Sequence, residues 1–471
     1  MSNPFDPRPG LQQNDGSTRD YGLRSRVLSR TEVLGQSVSG IAPTLTPAIT
    51  IALVFQLSGN GTWLAYVLAT FAILLVAWCI GQFASQSTKP GSLYSYASTA
   101  LPPWLAAVVA WSLVLAYIAT ASSSIGGFYE YGGRFLRFGG KPTFAVLIAA
   151  LMTWVSTWIA WRDVKISARL MFWTEAISVL MIFVVVMLVL VRHGFRIDPD
   201  QLRLRGVTAS GFRFGLVLAL YSFAGFESST TLGVEAQTPL TTIPRAVLQS
   251  SILAGAFFIL CSYVETLGLR TVGADLGSSQ SPLHILSIVG GVPLFGTLID
   301  ICLIVSLFSG ALACITAGSR VLLQMAHDGL LHRRLGTTHR DHRTPHIAIA
   351  ISGAASLLPA AILAARGKNG LDVYGWMGSL ATYGFIAAYA LVSLALLFAF
   401  RDRREFRAGT RLIPIVAAFA MILTLVGTLY SLPAGPYGKL PYIYLLYLGL
   451  GMIWFAFRRR SEEKQQPPQT N

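Results

Sequence analysis

The chain has 471 residues, of which 53% are hydrophobic and 12% charged. A soluble domain carries about 25% charged residues, so most of this chain must lie in lipid or pack against segments that do. The formal charge of +15 is carried in loops beside apolar runs, a distribution that argues against a nucleic-acid-binding protein and for a membrane one.

Residues 1–22 are polar and rich in Pro, Gly and Asn. They lack the basic-then-apolar pattern of a cleaved signal and are expected to be a disordered tail, as is the polar C-terminal end. Between them, twelve apolar runs approach the ~20-residue length that crosses a bilayer. They centre near residues 44, 73, 114, 151, 180, 221, 256, 309, 354, 388, 420 and 448.

The first run contains Ser37-Val38-Ser39-Gly40-Ile41-Ala42-Pro43-Thr44-Leu45-Thr46-Pro47. Its two prolines, glycine and hydroxyl residues weaken a helix there. The third run carries Trp111 and Tyr117, weaker pocket candidates, and has no acid before Glu130. A pocket for a cationic side chain would want one, so a neutral substrate is favoured. The fifth run holds Glu175 and, one turn on, Ser178. A carboxylate within a membrane span is costly and usually faces the bundle interior, which makes Glu175 a candidate coupling site.

The sixth run contains Tyr221-Ser222-Phe223-Ala224-Gly225-Phe226-Glu227. Gly225 interrupts it as Gly40 interrupts the first, and Glu227 lies beside the break. In the seventh and eighth runs, Glu265 and Asp300 sit near span ends and are expected to snorkel to water. Ser306 and Ser309 share one face of the eighth at i, i+3 spacing. The tenth offers Ser379, Thr382 and Tyr383 as further pocket candidates. Cys79, Cys261, Cys302 and Cys314 all fall in apolar spans at no metal-ligand spacing, and read as buried free thiols. No Walker loop, HExxH or nucleophile elbow occurs, so nothing points to an enzyme or to a bound cofactor.

Lys and Arg concentrate on the side that also holds both tails, including Arg333, Arg334, Arg340 and Arg343. By the positive-inside rule that side is cytoplasmic, in the cell (inner) membrane. Arg192, Arg196, Arg203, Arg205 and Arg213 run against it. Interrupted spans at matching positions in two halves point to an inverted-repeat transporter, whose breaks free backbone groups for a substrate. The segment 39–43 and the segment 224–226 are therefore expected to be non-helical and to line one cavity. Gly40 and Gly225 would let the substrate approach backbone.

Four stretches resemble the amino acid–polyamine–organocation superfamily of permeases. They are Gly81-Gln82-Phe83-Ala84-Ser85-Gln86-Ser87-Thr88-Lys89-Pro90-Gly91-Ser92-Leu93-Tyr94-Ser95-Tyr96; Val164-Lys165-Ile166-Ser167-Ala168-Arg169; Ser222-Phe223-Ala224-Gly225-Phe226-Glu227 with Thr238-Pro239 and Ile243-Pro244-Arg245-Ala246; and Ser319-Arg320-Val321-Leu322 to His327-Asp328-Gly329-Leu330-Leu331, with Thr344-Pro345 beyond. The resemblance implies an all-α integral membrane protein of twelve transmembrane helices. Five plus five form a LeuT-like inverted repeat with discontinuous helices 1 and 6, and two are appended. The expected organisation is a tail at 1–30, a transport core at 31–400, two further helices at 401–458 and a tail at 459–471.

By the same resemblance, Ser39, Gly40, Ile41, Ala42, Tyr221, Phe223, Ala224, Gly225 and Phe226 meet the substrate, with Tyr221 as a gating aromatic. Glu227 closes the sixth-helix break and hydrogen-bonds the first helix. Ser306 and Ser309 fall where sodium-coupled relatives bind the ion. Ser178 takes the place of the lysine found in proton-coupled ones. Gly40-Ile41-Ala42 departs from the usual small triplet, which leaves carboxylate binding mainly to backbone N–H groups. The expected function is alternating-access transport of an L-amino acid, with Na+ or H+ as the coupling ion. An amine or polyamine permease, an exchanger and a membrane ligand sensor are the alternatives.

Overall fold

The computed structural model describes residues 21–136, 141–162, 164–279, 281–399, 408–430 and 435–463. Residues 1–20 and 464–471, most of the two expected tails, lie outside them, as does the linker 400–407. The described chain is helical, with no strand beyond one isolated bridge between Leu28 and Ala236. Helices satisfy every backbone N–H and C=O within one segment, the condition for running through hydrocarbon.

The first helix, α1 (Arg30–Ile41), opens on a capping box. Ser29 Oγ accepts from Glu32 N–H, while Ser29 N–H donates to Glu32 Oε2 at 2.9 Å. It stops at Ala42, which turns left-handed with φ 48°. Pro43 and Pro47 have no N–H to give, and the chain resumes through a wide π turn over Thr46–Thr50 into α2 (Ile51–Ser58). After a 3-10 turn come α3 (Thr62–Ala84), α4 (Ser92–Ala100), α5 (Pro103–Phe135), α6 (Pro142–Arg162), α7 (Val164–Arg192) and the short α8 (Pro199–Leu202).

Thr208 caps α9 (Ala209–Tyr221), accepting from Gly211 N–H at 3.2 Å. A second break follows, with Gly225 at φ +89° and a 3-10 turn over Ser228–Leu232. Then come α10 (Pro239–Thr271), α11 (Pro282–Val289), α12 (Pro293–His327), α13 (His346–Ala365), α14 (Gly370–Ala399), α15 (Ala408–Tyr430) and α16 (Leu440–Glu463). Several open on proline, whose missing N–H costs nothing in the first turn.

Among the described residues ten helical stretches are long and apolar enough to cross a membrane, so the protein is multi-pass. The first of these, Arg30–Ala84, contains both the broken helix and α3, and the shorter α9 is not among the ten. α5 and α14 pack along each other at the centre, with 72% and 78% of their apolar windows buried, against 22% for α15 and α16. On the outside, α6 shows Leu147, Leu151, Trp154 and Trp158 along one face, an apolar stripe that suits lipid. Cys79, Cys261 and Cys314 are buried and free as expected, whereas Cys302 is half-buried.

Residues 21–29, counted with the N-terminal tail, are tied down as a strap. Val27 and Leu28 N–H donate to Glu235 O, and Gln237 N–H donates to Leu28 O at 3.0 Å. Beneath them Arg320 and Glu235 form a buried two-pronged ion pair, both bonds 2.8 Å. At the opposite end of the bundle, Arg270 binds Asp198 at 2.7 Å.

Candidate functional site

The two breaks meet backbone to backbone. A Cβ on Gly40 would stand 2.5 Å from Gly225 O, and a Cβ on Gly225 would stand 2.7 Å from Gly40 O. The glycines thus allow the two breaks to approach each other. Hydroxyls sew the rest of the junction. Ser37 Oγ donates to Phe226 O at 2.7 Å, and Ser228 Oγ donates to Gln36 O at 2.9 Å. The first break also starts later than expected. Ser39, Gly40 and Ile41 still belong to α1, and the helix opens over 42–44.

Beside this junction lies a small cavity. It is lined by Gly40, Ile41, Ala42, Tyr221 and Ala224, all among the sequence candidates, and by Leu45, Thr46, Thr120, Ser124, Ser222, Gly310 and Tyr374. No lining side chain is charged. A second small cavity lies behind Tyr221 and Ala224, with Thr382, Phe385 and Tyr389 in its wall. Tyr221 stands in the wall of both. Its hydroxyl donates to Ser123 Oγ at 2.9 Å, and Ser123 Oγ donates to Tyr374 O at 2.7 Å. The Tyr374 hydroxyl in turn pairs with Thr50 Oγ1 at 3.0 Å. Tyr221, Ser123, Tyr374 and Thr50 therefore link the end of α9 through α5 and α14 to the far half of the first break, by way of the Tyr374 carbonyl and its separate hydroxyl.

Glu227 is fully buried and accepts from Tyr117 and Tyr389, each at 2.7 Å. The acid beside the second break is thus bound to α5 and α14, and these bonds do not go to the first helix as the resemblance implied. Glu175 is also fully buried. It accepts from Thr44 Oγ1, at the first break, at 3.0 Å, and from Ser306 Oγ of α12. This carboxylate of α7 thus joins the first break to α12. Ser178 and Ser309 are buried nearby in sequence, one turn along α7 and α12.

Other candidates lie apart from the cavity. Phe223 packs edge-on against Phe258 of α10, and Phe226 against Tyr389. Trp111 faces α16, with Tyr447 at 6.1 Å and its rings over Gly451. Ser379 is buried beside Gly378, on which the Tyr221 ring rests, and Tyr383 stacks towards Tyr444. Asp300 reaches the surface beside His284 at 3.5 Å. Glu265 does not snorkel: it is fully buried, and neither carboxyl oxygen has a hydrogen-bond partner among the described residues. Six residues short of the end of α10, its stem cannot span the ~9 Å to the rim. Thr120, Ser124 and Tyr374 were missed, although the hydroxyl run Thr120-Ala121-Ser122-Ser123-Ser124 inside an apolar span was a readable signal.

The family model described as "Amino acid permease" matches residues 28–456. The chain is 23% identical to the methylthioribose transporter of Bacillus subtilis (strain 168), over 98% of this chain and 99% of that one. It is 22% identical to the branched-chain amino acid permease BcaP of the same organism, over 87% of this chain and 88% of that one. It is also 25% identical to the low-affinity putrescine importer PlaP of Escherichia coli (strain K12), over 76% and 77%.

Proposed function

The chain belongs to the amino acid permease family, and from that premise we propose that it carries a neutral L-amino acid across the cell membrane by alternating access. The observation that carries this reading is the uncharged cavity beside two helix breaks joined at Gly40 and Gly225. The C-terminal end of α1 offers carbonyls to an ammonium group. The start of the half-helix beyond offers N–H groups to a carboxylate. The hydroxyls of Thr120, Ser124 and Ser222 border a side chain of moderate polarity. A diamine would carry a second ammonium group into a cavity without an acid, which favours an amino acid over a polyamine.

In this reading the broken first helix, α3, α5, α6 and α7 form one five-helix repeat. The broken helix that begins with α9, α10, α12, α13 and α14 form the second, inverted one. With α15 and α16 appended the crossings number twelve, and both tails are cytoplasmic. Tyr221 is the gate between the two cavities. Thr44, Glu175 and Ser306 respond to the coupling ion, with Ser309 one turn along.

Uptake of labelled amino acids and amines into proteoliposomes, with and without sodium or a pH gradient, tests this. A neutral amino acid should be accumulated and amines should compete poorly. Binding without uptake would point to a sensor, and uptake only against internal substrate to an exchanger.

A further inference from the structure

Glu265 is the acid that the site does not absorb. It lies in α10, six residues before the end at Thr271, or about 9 Å from the rim at 1.5 Å per residue. At that end Arg270 pairs with Asp198 at 2.7 Å. Glu227 and Glu175 each receive two hydroxyl donors. Glu265 receives none among the described residues. Of the elements packed against α10, α3 brings Tyr66 within electrostatic reach, and α10 itself brings Cys261, one turn back. No cationic side chain does so among the described residues. An isolated charge in such a place is expensive, and a neutral carboxylic acid is not.

We propose that Glu265 is a proton-binding site of the transport cycle, protonated in the closed conformation described here and deprotonated when the rim above it opens to water. Only its O–H bond forms and breaks, and the proton passes to and from water. Tyr66 connects this place to the substrate. Its hydroxyl pairs with Ser222 Oγ at 3.0 Å, and Ser222 lines the cavity. Neither Tyr66 nor Glu265 lines the cavity itself, so the carboxyl is screened from a substrate's ammonium group while remaining one side chain away from the residue that touches it. The inference rests on the transport reading above.

Two measurements test it. Infrared spectra of the purified full-length protein at neutral pH, without substrate, should show the C=O stretch of a carboxylic acid that is absent from Glu265→Gln. An identical spectrum from the variant would overturn the proposal. In proteoliposomes loaded with a pH-sensitive dye, addition of L-leucine, L-valine or L-alanine to the wild type should carry protons inward. Glu265→Gln, which keeps the shape of the neutral acid, should lose that proton movement and uphill uptake but retain exchange of internal for external amino acid. Wild-type proton movement in the variant would overturn the proposal, as would loss of exchange in a variant that still purifies as a folded protein. Absence of any uptake by the wild type counts against the transport reading instead, and the infrared result still decides the protonation of Glu265.

Discussion

Gly40 and Gly225 lie so close that neither could carry a methyl group: each would press its Cβ to within 2.7 Å or less of the other's carbonyl oxygen. The two broken helices therefore share one backbone joint, and a change on either side of it should be felt on both.

Gly225 also has φ +89°. A side chain in a left-handed conformation costs roughly 1–2 kcal/mol before any clash. Gly225→Val should abolish uptake while leaving expression and solubility in detergent intact, and Gly40→Ala should impair uptake in the same way. Uptake normalised to purified protein is the check. Normal transport by Gly225→Val would show that the joint is dispensable.

Tyr117 and Tyr389 each donate to Glu227. A hydrogen bond to a charged group contributes about 1.5–3 kcal/mol. Tyr117→Phe and Tyr389→Phe should each lower the melting temperature, and the pair together should lower it further. In a Glu227→Gln background the same changes should cost less, because no charge is then left bare. Thermal unfolding of the purified variants measures this, and equal costs in both backgrounds would mean that Glu227 is already neutral.

Glu175 and Ser306 share a bond, so their effects should not add. Glu175→Gln and Ser306→Ala should each weaken uptake, and the double variant should be no worse than the worse single. If sodium drives uptake, Ser306→Ala and Ser309→Ala should also raise the sodium concentration for half-maximal rate. Sodium titrations of uptake decide this. Additive losses would show that the two residues act separately.

Arg320 and Glu235 are buried together beneath the strap formed by residues 21–29. Removing one partner of a buried pair costs about 3–5 kcal/mol, whereas replacing both with apolar residues can be neutral. Arg320→Met should lower thermal stability sharply, and adding Glu235→Leu should restore most of it. Melting curves of the single and double variants provide the comparison.

The helical, membrane-spanning character of the chain was legible because lipid leaves a sequence few options: long apolar runs must become helices. Gly225, placed in a polar stretch of an apolar run, marked its break well. The first break was displaced by three residues because Gly40 attracts attention while the prolines at 43 and 47 do the breaking. Partners across the bundle were the least readable. Nothing within one helix says that Glu227 will meet tyrosines of α5 and α14, or that Glu175 will meet Thr44, since those contacts are set by packing between distant segments. Glu265 misled for a related reason. It reads as lying near a span end, but α10 runs on six residues further to Thr271, and the side chain is buried inside the bundle.

Cys261, one helical turn from Glu265, is a native thiol sealed from solvent in this conformation. A water-soluble maleimide can modify it only when water reaches that stretch of α10. Its alkylation rate therefore clocks the opening of the rim, without any residue having to be introduced. With Cys79, Cys302 and Cys314 replaced by serine, Cys261 is the one thiol left of the four in the sequence, so a rise in labelling when substrate is added would time the hydration of the carboxyl beside it.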